Sequence, residues 1–307
     1  MGTVTTAQTW GITGSVFLLG YLLLAVLAIG VAHRRRSRIA RGLPADERAL
    51  DSRPEDVAHL HGGPDLAVYA ALSAMHVDGS VVTSNRTTGQ VRSGAHPTRS
   101  ATALQRAIHR SARRLTPGRM LRTHVAVRHE LLLISRRLER AGLVLGSADV
   151  SRYRSTAALP GLVAVLGVAR IAAETAQARP VGLGLGLVTL ATVGVTVVFA
   201  LPAPRRTRTG DEALRAVRAR HADLAPTMRR DWAGCRPAAA AMSVGAFGVG
   251  AMFAAEPAFA ADLAAGRTLT PAGGPGRSSA DGGGDGGGGS WSFSGGGDGG
   301  GGGDGGC

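Results

Sequence analysis

The side chains best suited to chemistry are few and lie apart. His59-Leu60-His61 sets two imidazoles close together, and His124 and His129 fall in one helical stretch. A metal site needs a third ligand, and an i,i+5 pair on a helix diverges, so both pairs read as surface histidines. Asp46-Glu47 and Asp211-Glu212 sit where acids open helices, not as paired catalytic carboxylates. Arg170 and Glu174 form an i,i+4 pair in an otherwise apolar region. Charge inside a membrane is functional by default, yet this pair lies near the outer end of its segment and reads as a helix terminator. Cys235 and Cys307 are too far apart to be a disulfide framework or a metal cluster. No serine lies in a nucleophile elbow, and no glycine loop leads into Lys-Ser/Thr or a dinucleotide fingerprint. These residues specify no catalytic set, no metal and no cofactor.

Elements that could position such residues come from the charge pattern. All 35 basic residues other than histidine are arginine, the formal net charge is +14, and aromatic residues make up 4% of 307. The first 32 residues carry no charged side chain, and Ile12–Ala32 is apolar almost throughout. Twenty-one helical residues span about 31 Å, enough for a hydrocarbon core. Arg34, Arg35, Arg36 and Arg38 follow at once. A cleaved signal peptide carries its positive charge ahead of the apolar run, so 12–32 is expected to be an uncleaved anchor behind a short outside N-terminus, 1–11.

A second and a third span are expected at 157–175 and 181–201. The later one is uncharged and strong, with Gly182 and Gly186 spaced as helix-packing positions. The earlier one is weaker and has to use residues near Arg170 to reach the far side. Arg152 and Arg154 precede this hairpin, and Arg205, Arg206 and Arg208 follow it. Three crossings with the N-terminus outside put every arginine cluster on the cytoplasmic side of a bacterial inner membrane. Anionic headgroups are the expected partner of the basic linker 33–53. A cytoplasmic amphipathic region follows at 202–236. The Ala-rich stretch 237–265 is either a membrane-associated or protein-packed helix, or a fourth crossing.

Between anchor and hairpin, 54–154 is expected to be a small α+β domain in a mostly α protein. Pro64 opens a helix with Leu66, Val68, Tyr69, Leu72 and Met75 toward one face; Asp78-Gly79 ends it. Strands are expected at 80–83 and 90–92, and a helix over 101–115. His124–Ala141 is another helix, ended by Gly142 and followed by the apolar strand Leu143–Leu145. MHVDGSVV and LERAGLVL align glycine on glycine, which suggests a winged-helix-like unit, single or in tandem. The function expected first is a non-catalytic interaction or scaffold module held at the membrane. A membrane-tethered nucleic-acid-binding regulator comes second, and a membrane enzyme of unrecognised type third.

From 266 to 307 the chain is glycine-rich, of low complexity and expected to be disordered. Its 281–307 portion holds Trp291 and Phe293 as the residues a protein partner could grip. HLHGGPDLAVYAAL, LPAPRRTRTGDEALRAVRARH and AAEPAFAADLAAG before a glycine run together resemble an uncharacterised family of actinobacterial membrane proteins with a shared C-terminal membrane domain. The likeness runs from about residue 10 to 307. Relatives in that family tend to carry several tail cysteines where this chain has Cys307. The resemblance implies a membrane location and no reaction.

Overall fold

The computed structural model describes residues 8–9, 12–43, 46–85, 89–176, 183–228 and 232–264. A short ladder of β1 (Gln8–Thr9) and β2 (Ile12–Thr13) precedes α1 (Gly14–Arg41). Then come α2 (Pro54–Val77), β3 (Val81–Asn85), β4 (Gln90–Ser93), α3 (Ala103–Ser111), β5 (Thr116–Pro117) and α4 (Val125–Arg140). The chain continues through α5 (Ser147–Ser155), α6 (Ala158–Ala176), α7 (Leu183–Ala200) and α8 (Arg208–Arg220). It closes with α9 (Pro237–Phe247), α10 (Val249–Ala255) and α11 (Pro257–Ala264). The protein is mostly helical, and it folds as two compact units, Met1–Gly63 with Leu131–Ala222 and Pro64–Glu130 with Asp223–Cys307.

The first unit holds the membrane helices. Val16–Arg41, Ser147–Ala176 and Leu183–Ala200 are long and apolar enough to cross a bilayer, each containing an 18-residue stretch of mean hydropathy 2.4, 1.8 and 2.2 respectively. Their outward faces carry Leu19, Leu23, Leu162, Val165, Leu187 and Leu190, all exposed. A contiguous apolar surface of that kind is costly in water and suited to lipid. Inward, Tyr21, Ala25 and Ala28 of α1 pack against Val163 of α6 and Leu185 of α7. The first helix does not stop at Ala32 but runs on through the arginines to Arg41. Arginine is a good helix former, and Arg38 and Arg41 in the last turn suit the helix dipole.

Below the bundle, the expected strand Leu143–Leu145 pairs with the chain leaving α7, through Val144↔Arg206. Leu145 N–H donates to Arg205 O, and Thr207 N–H donates to Leu143 O, both at 3.1 Å. The chain then enters α5 at Ser147, so this second helix–glycine–strand segment leads into a helix and not into a hairpin.

The second unit is built around the later part of α2, whose residues from Ala67 to Ala74 are all buried. The expected one-sided helix is in fact surrounded, and its small residues Ala67, Ala70, Ala71, Ser73 and Ala74 let neighbours approach on every side. Gly79, at φ 68°, ends it. The sheet runs β3-β4-β5, with Val81↔Ser93 and Val91↔Thr116 in register. Val81 and Val91 point into the core while Val82 and Arg92 face out, the period-two alternation of a half-covered sheet. The Ala-rich stretch belongs to this unit. Gly248, at φ 84°, breaks it after 11 residues of α9, about 16 Å of helix and half a hydrocarbon core. Ala240 through Ala246 are buried. Farther on, α11 docks on β3, where Thr83 Oγ1 donates to Asp262 Oδ2 at 2.8 Å and Phe259 stacks on His76.

Candidate functional site

The three membrane helices enclose a polar centre. Arg170, on α6, is 2% exposed; its Nε donates to Glu174 Oε1 at 3.0 Å, and its guanidinium lies 4.7 Å from the centroid of Phe17. One turn toward the other end of α6, a Cβ on Gly167 would overlap both the Tyr21 hydroxyl and Thr189 Oγ1. Those two oxygens are buried without a hydrogen-bond partner. Thr192 and Thr196 instead satisfy their hydroxyls on carbonyls one turn back, Val188 O and Thr192 O. Gly186, expected as a packing position, has no heavy atom within 4 Å of a would-be Cβ, so the close approach falls at Gly167. Gly182 lies outside the described residues.

The arginine clusters gather at the other end of the bundle. Arg36 stacks its guanidinium over Tyr153, 4.1 Å from the ring centroid, and lies 5.0 Å from that of Phe199. Its Nη1 also donates to Val198 O. One side chain thereby ties the end of α1 to α5 and to the end of α7. Arg34, Arg35, Arg38, Arg152, Arg154, Arg205 and Arg208 are exposed, and Arg206 is half-buried against Asp211 at 3.0 Å.

Next to that arginine belt, the first turns of α2 carry charge inward. Burial pushes the Asp56 carboxyl above its ordinary value, against the pull of Arg137 and Arg53. Arg137 Nε is 3.0 Å from Asp56 Oδ2, but its N–H is not aligned as a hydrogen bond. His59 is 4% exposed and its Nδ1 has no hydrogen-bond partner. Burial, together with repulsion from Arg205, lowers its pKa to about 4. This corrects the reading of His59 as a surface residue. His61 lies 2.8 Å from Arg218, and Arg220 and His221 both approach Asp51.

The remaining candidates are dispersed. Asp46 caps a short helical turn by accepting from Arg48 N–H. His124 follows a turn and His129 is exposed on α4. Cys235 is a buried thiol beside Trp232 and Ala239. Trp291, Phe293 and Cys307 lie outside the described residues. Among the described residues, no three His, Cys, Asp or Glu come together as a metal-binding group. Composition alone could have flagged Tyr21, since it is the one phenol in its apolar run. Nothing local marks His59, which is buried and faces the sequence-distant Arg205. No family model matches this chain, and no curated protein or solved structure matches it either.

Proposed function

We propose that the chain is a membrane-anchored interaction module of the bacterial inner membrane, with its N-terminus outside and its α+β part in the cytoplasm. The observation that carries this is the clasp of Arg36 on Tyr153 and Phe199. It supports a bundle in which the end of α1, the entry to α6 and the exit of α7 share one end. Arg34–Arg41, Arg152 with Arg154, and Arg205 with Arg206 and Arg208 all flank that end. Positive flanks stay on the cytoplasmic side, and arginines at that level suit anionic headgroups.

In this reading the glycine-rich tail is a display arm, with Trp291 and Phe293 as its grip on a protein partner. Reporter fusions after Arg41, Gln177 and Arg208 test the threading. Cytoplasmic signals at the first and third and an external signal at the second are expected; any other pattern overturns it. Deleting 281–307 is expected to leave insertion intact and remove at least one crosslinked partner. An unchanged partner set removes the arm from the proposal.

A further inference from the structure

Between Gly79 and His129 there is no aspartate or glutamate, while ten arginines occur. The second unit therefore carries a wholly basic segment. Arg106 Nη1 donates to Ala101 O and Arg110 Nε to Arg106 O, so α3 spends part of its charge on its own backbone. Arg113, Arg114 and Arg128 are exposed, and none of the ion pairs among the described residues includes them. Large apolar side chains stand out of the same short stretch. Leu115 is 51% exposed just before β5, Met120 is 49% exposed just after it, and Val125 is 76% exposed at the start of α4.

In the same stretch as the exposed Arg113, Arg114 and Arg128, leucine, methionine and valine protrude, while Arg122 is paired with Asp65. A phosphodiester surface rewards the arginines but not the apolar tips. The 79–129 segment also has no Phe, Trp or Tyr on which bases could stack. A bilayer rich in anionic lipid rewards both features, since apolar side chains enter the headgroup boundary while arginines meet phosphates. The second unit is joined covalently to the membrane helices at three points in the chain, so such a surface is always near.

We infer that Arg113–Arg128 is a docking surface for anionic lipid, through which the second unit settles on the bilayer with Leu115, Met120 and Val125 inserted. The inference rests on the chain being membrane-inserted, as proposed above. Docking held mainly by charge is reversible, which makes lipid composition and ionic strength the regulators of how far the second unit is free to meet partners. Each arginine near an anionic surface is worth about fivefold in partitioning.

The test uses the full chain in lipid nanodiscs, with Cys235→Ala and Cys307→Ser as background. Met120→Cys carries an environment-sensitive fluorophore, and spin-labelled lipid serves as quencher. In discs containing phosphatidylglycerol the probe is expected to shift to the blue and be quenched. In phosphatidylcholine discs, or at about 1 M salt where the Debye length is near 3 Å, it should report water. Arg113→Gln with Arg114→Gln is expected to lower the docked-to-free ratio roughly twenty-five-fold. Equal signals in the two lipids overturn the inference, and so does a shift produced only by added duplex DNA. Alkaline extraction separates the failures. A chain that is stripped from membranes sinks the anchor reading and this inference together, whereas a resistant chain with no lipid dependence sinks the docking alone.

Discussion

The two units differ in where arginine is buried against an acid. In the unit of Met1–Gly63 and Leu131–Ala222, arginines meet acids: Arg137 with Asp56, Arg170 with Glu174, Arg206 with Asp211 and Arg220 with Asp51. In the other unit Arg122 meets Asp65, but Arg92, Arg99, Arg113, Arg114 and Arg128 appear in no ion pair among the described residues. The difference follows burial. Arg170 and Asp56 are 2% and 3% exposed, and a buried charge is tolerated only when paired. The unmatched arginines stand in water, where an ion pair adds little. Buried charge in the first unit therefore works as structure, while the exposed arginines of both units, Arg34, Arg35 and Arg38 in one and Arg113, Arg114 and Arg128 in the other, face outward.

Breaking a buried pair should expose that contrast most strongly. Glu174→Ala leaves the Arg170 guanidinium without its carboxylate inside the bundle, and a loss of about 3–5 kcal/mol is expected, measured as unfolding in detergent. Arg170→Met combined with Glu174→Leu should recover most of it, since an apolar pair costs no desolvation. If the single variant is as stable as the parent, the bundle does not enclose this pair.

His59 gives the next effect. Its pKa is about 4 in the fold against an ordinary 6.5, so between these values the unfolded chain binds the additional proton. The stability contributed by neutral His59 is therefore complete above pH 6.5 and lost as pH falls toward 4, by about 3 kcal/mol in all. Asp56 works in the other direction, because its raised pKa lets the folded form take up a proton first. Comparing pH profiles of the parent and His59→Phe isolates the histidine. The parent should lose stability relative to the variant across that window, and parallel profiles refute the assignment.

How much of this could be read from the sequence depends on whether the cause is local. The three spans were legible because length and absence of charge lie in adjacent residues. The β3–β4 hairpin was legible too, since Gly79 and the alternation around Val81 and Val91 are short-range signals. The fate of 237–255 was not, because nineteen uncharged residues do not show that Gly248 turns to φ 84° and ends α9. Small-residue spacing pointed to Gly182 and Gly186, but it cannot say which face meets a neighbour. The tight position is Gly167, identified by Tyr21 and Thr189 on other helices. His59 escaped for the same reason.

The glycines of the matched octapeptides compare the units directly. Gly79 and Gly142 have φ of 68° and 69°. Each donates its N–H three residues back, and the following N–H reaches five residues back, to Met75 O and Leu138 O. A Cβ on Gly79 meets nothing within 4 Å, whereas one on Gly142 overlaps Leu43. Gly79→Ala should therefore cost only the left-handed backbone penalty, about 1–2 kcal/mol. Gly142→Ala should cost roughly 1–3 kcal/mol more from the overlap. Equal losses in thermal unfolding would show that the segment around Leu43 gives way.

The smallest expected effect is the one that most sharpens the contrast. Arg113→Gln with Arg114→Gln removes two exposed charges that have no acid to lose, from a segment where arginine outnumbers acid ten to none. Fold stability in detergent should stay within about 0.5 kcal/mol of the parent, or rise slightly as like charges are relieved. The matched control is Arg220→Gln, which takes a partly exposed guanidinium away from Asp51 and should cost up to about 1 kcal/mol. If the Arg113 and Arg114 changes destabilise more than the Arg220 change, then the basic segment is held in place by its own arginines. Its charge would then be structural after all, and the division between the two units would fail.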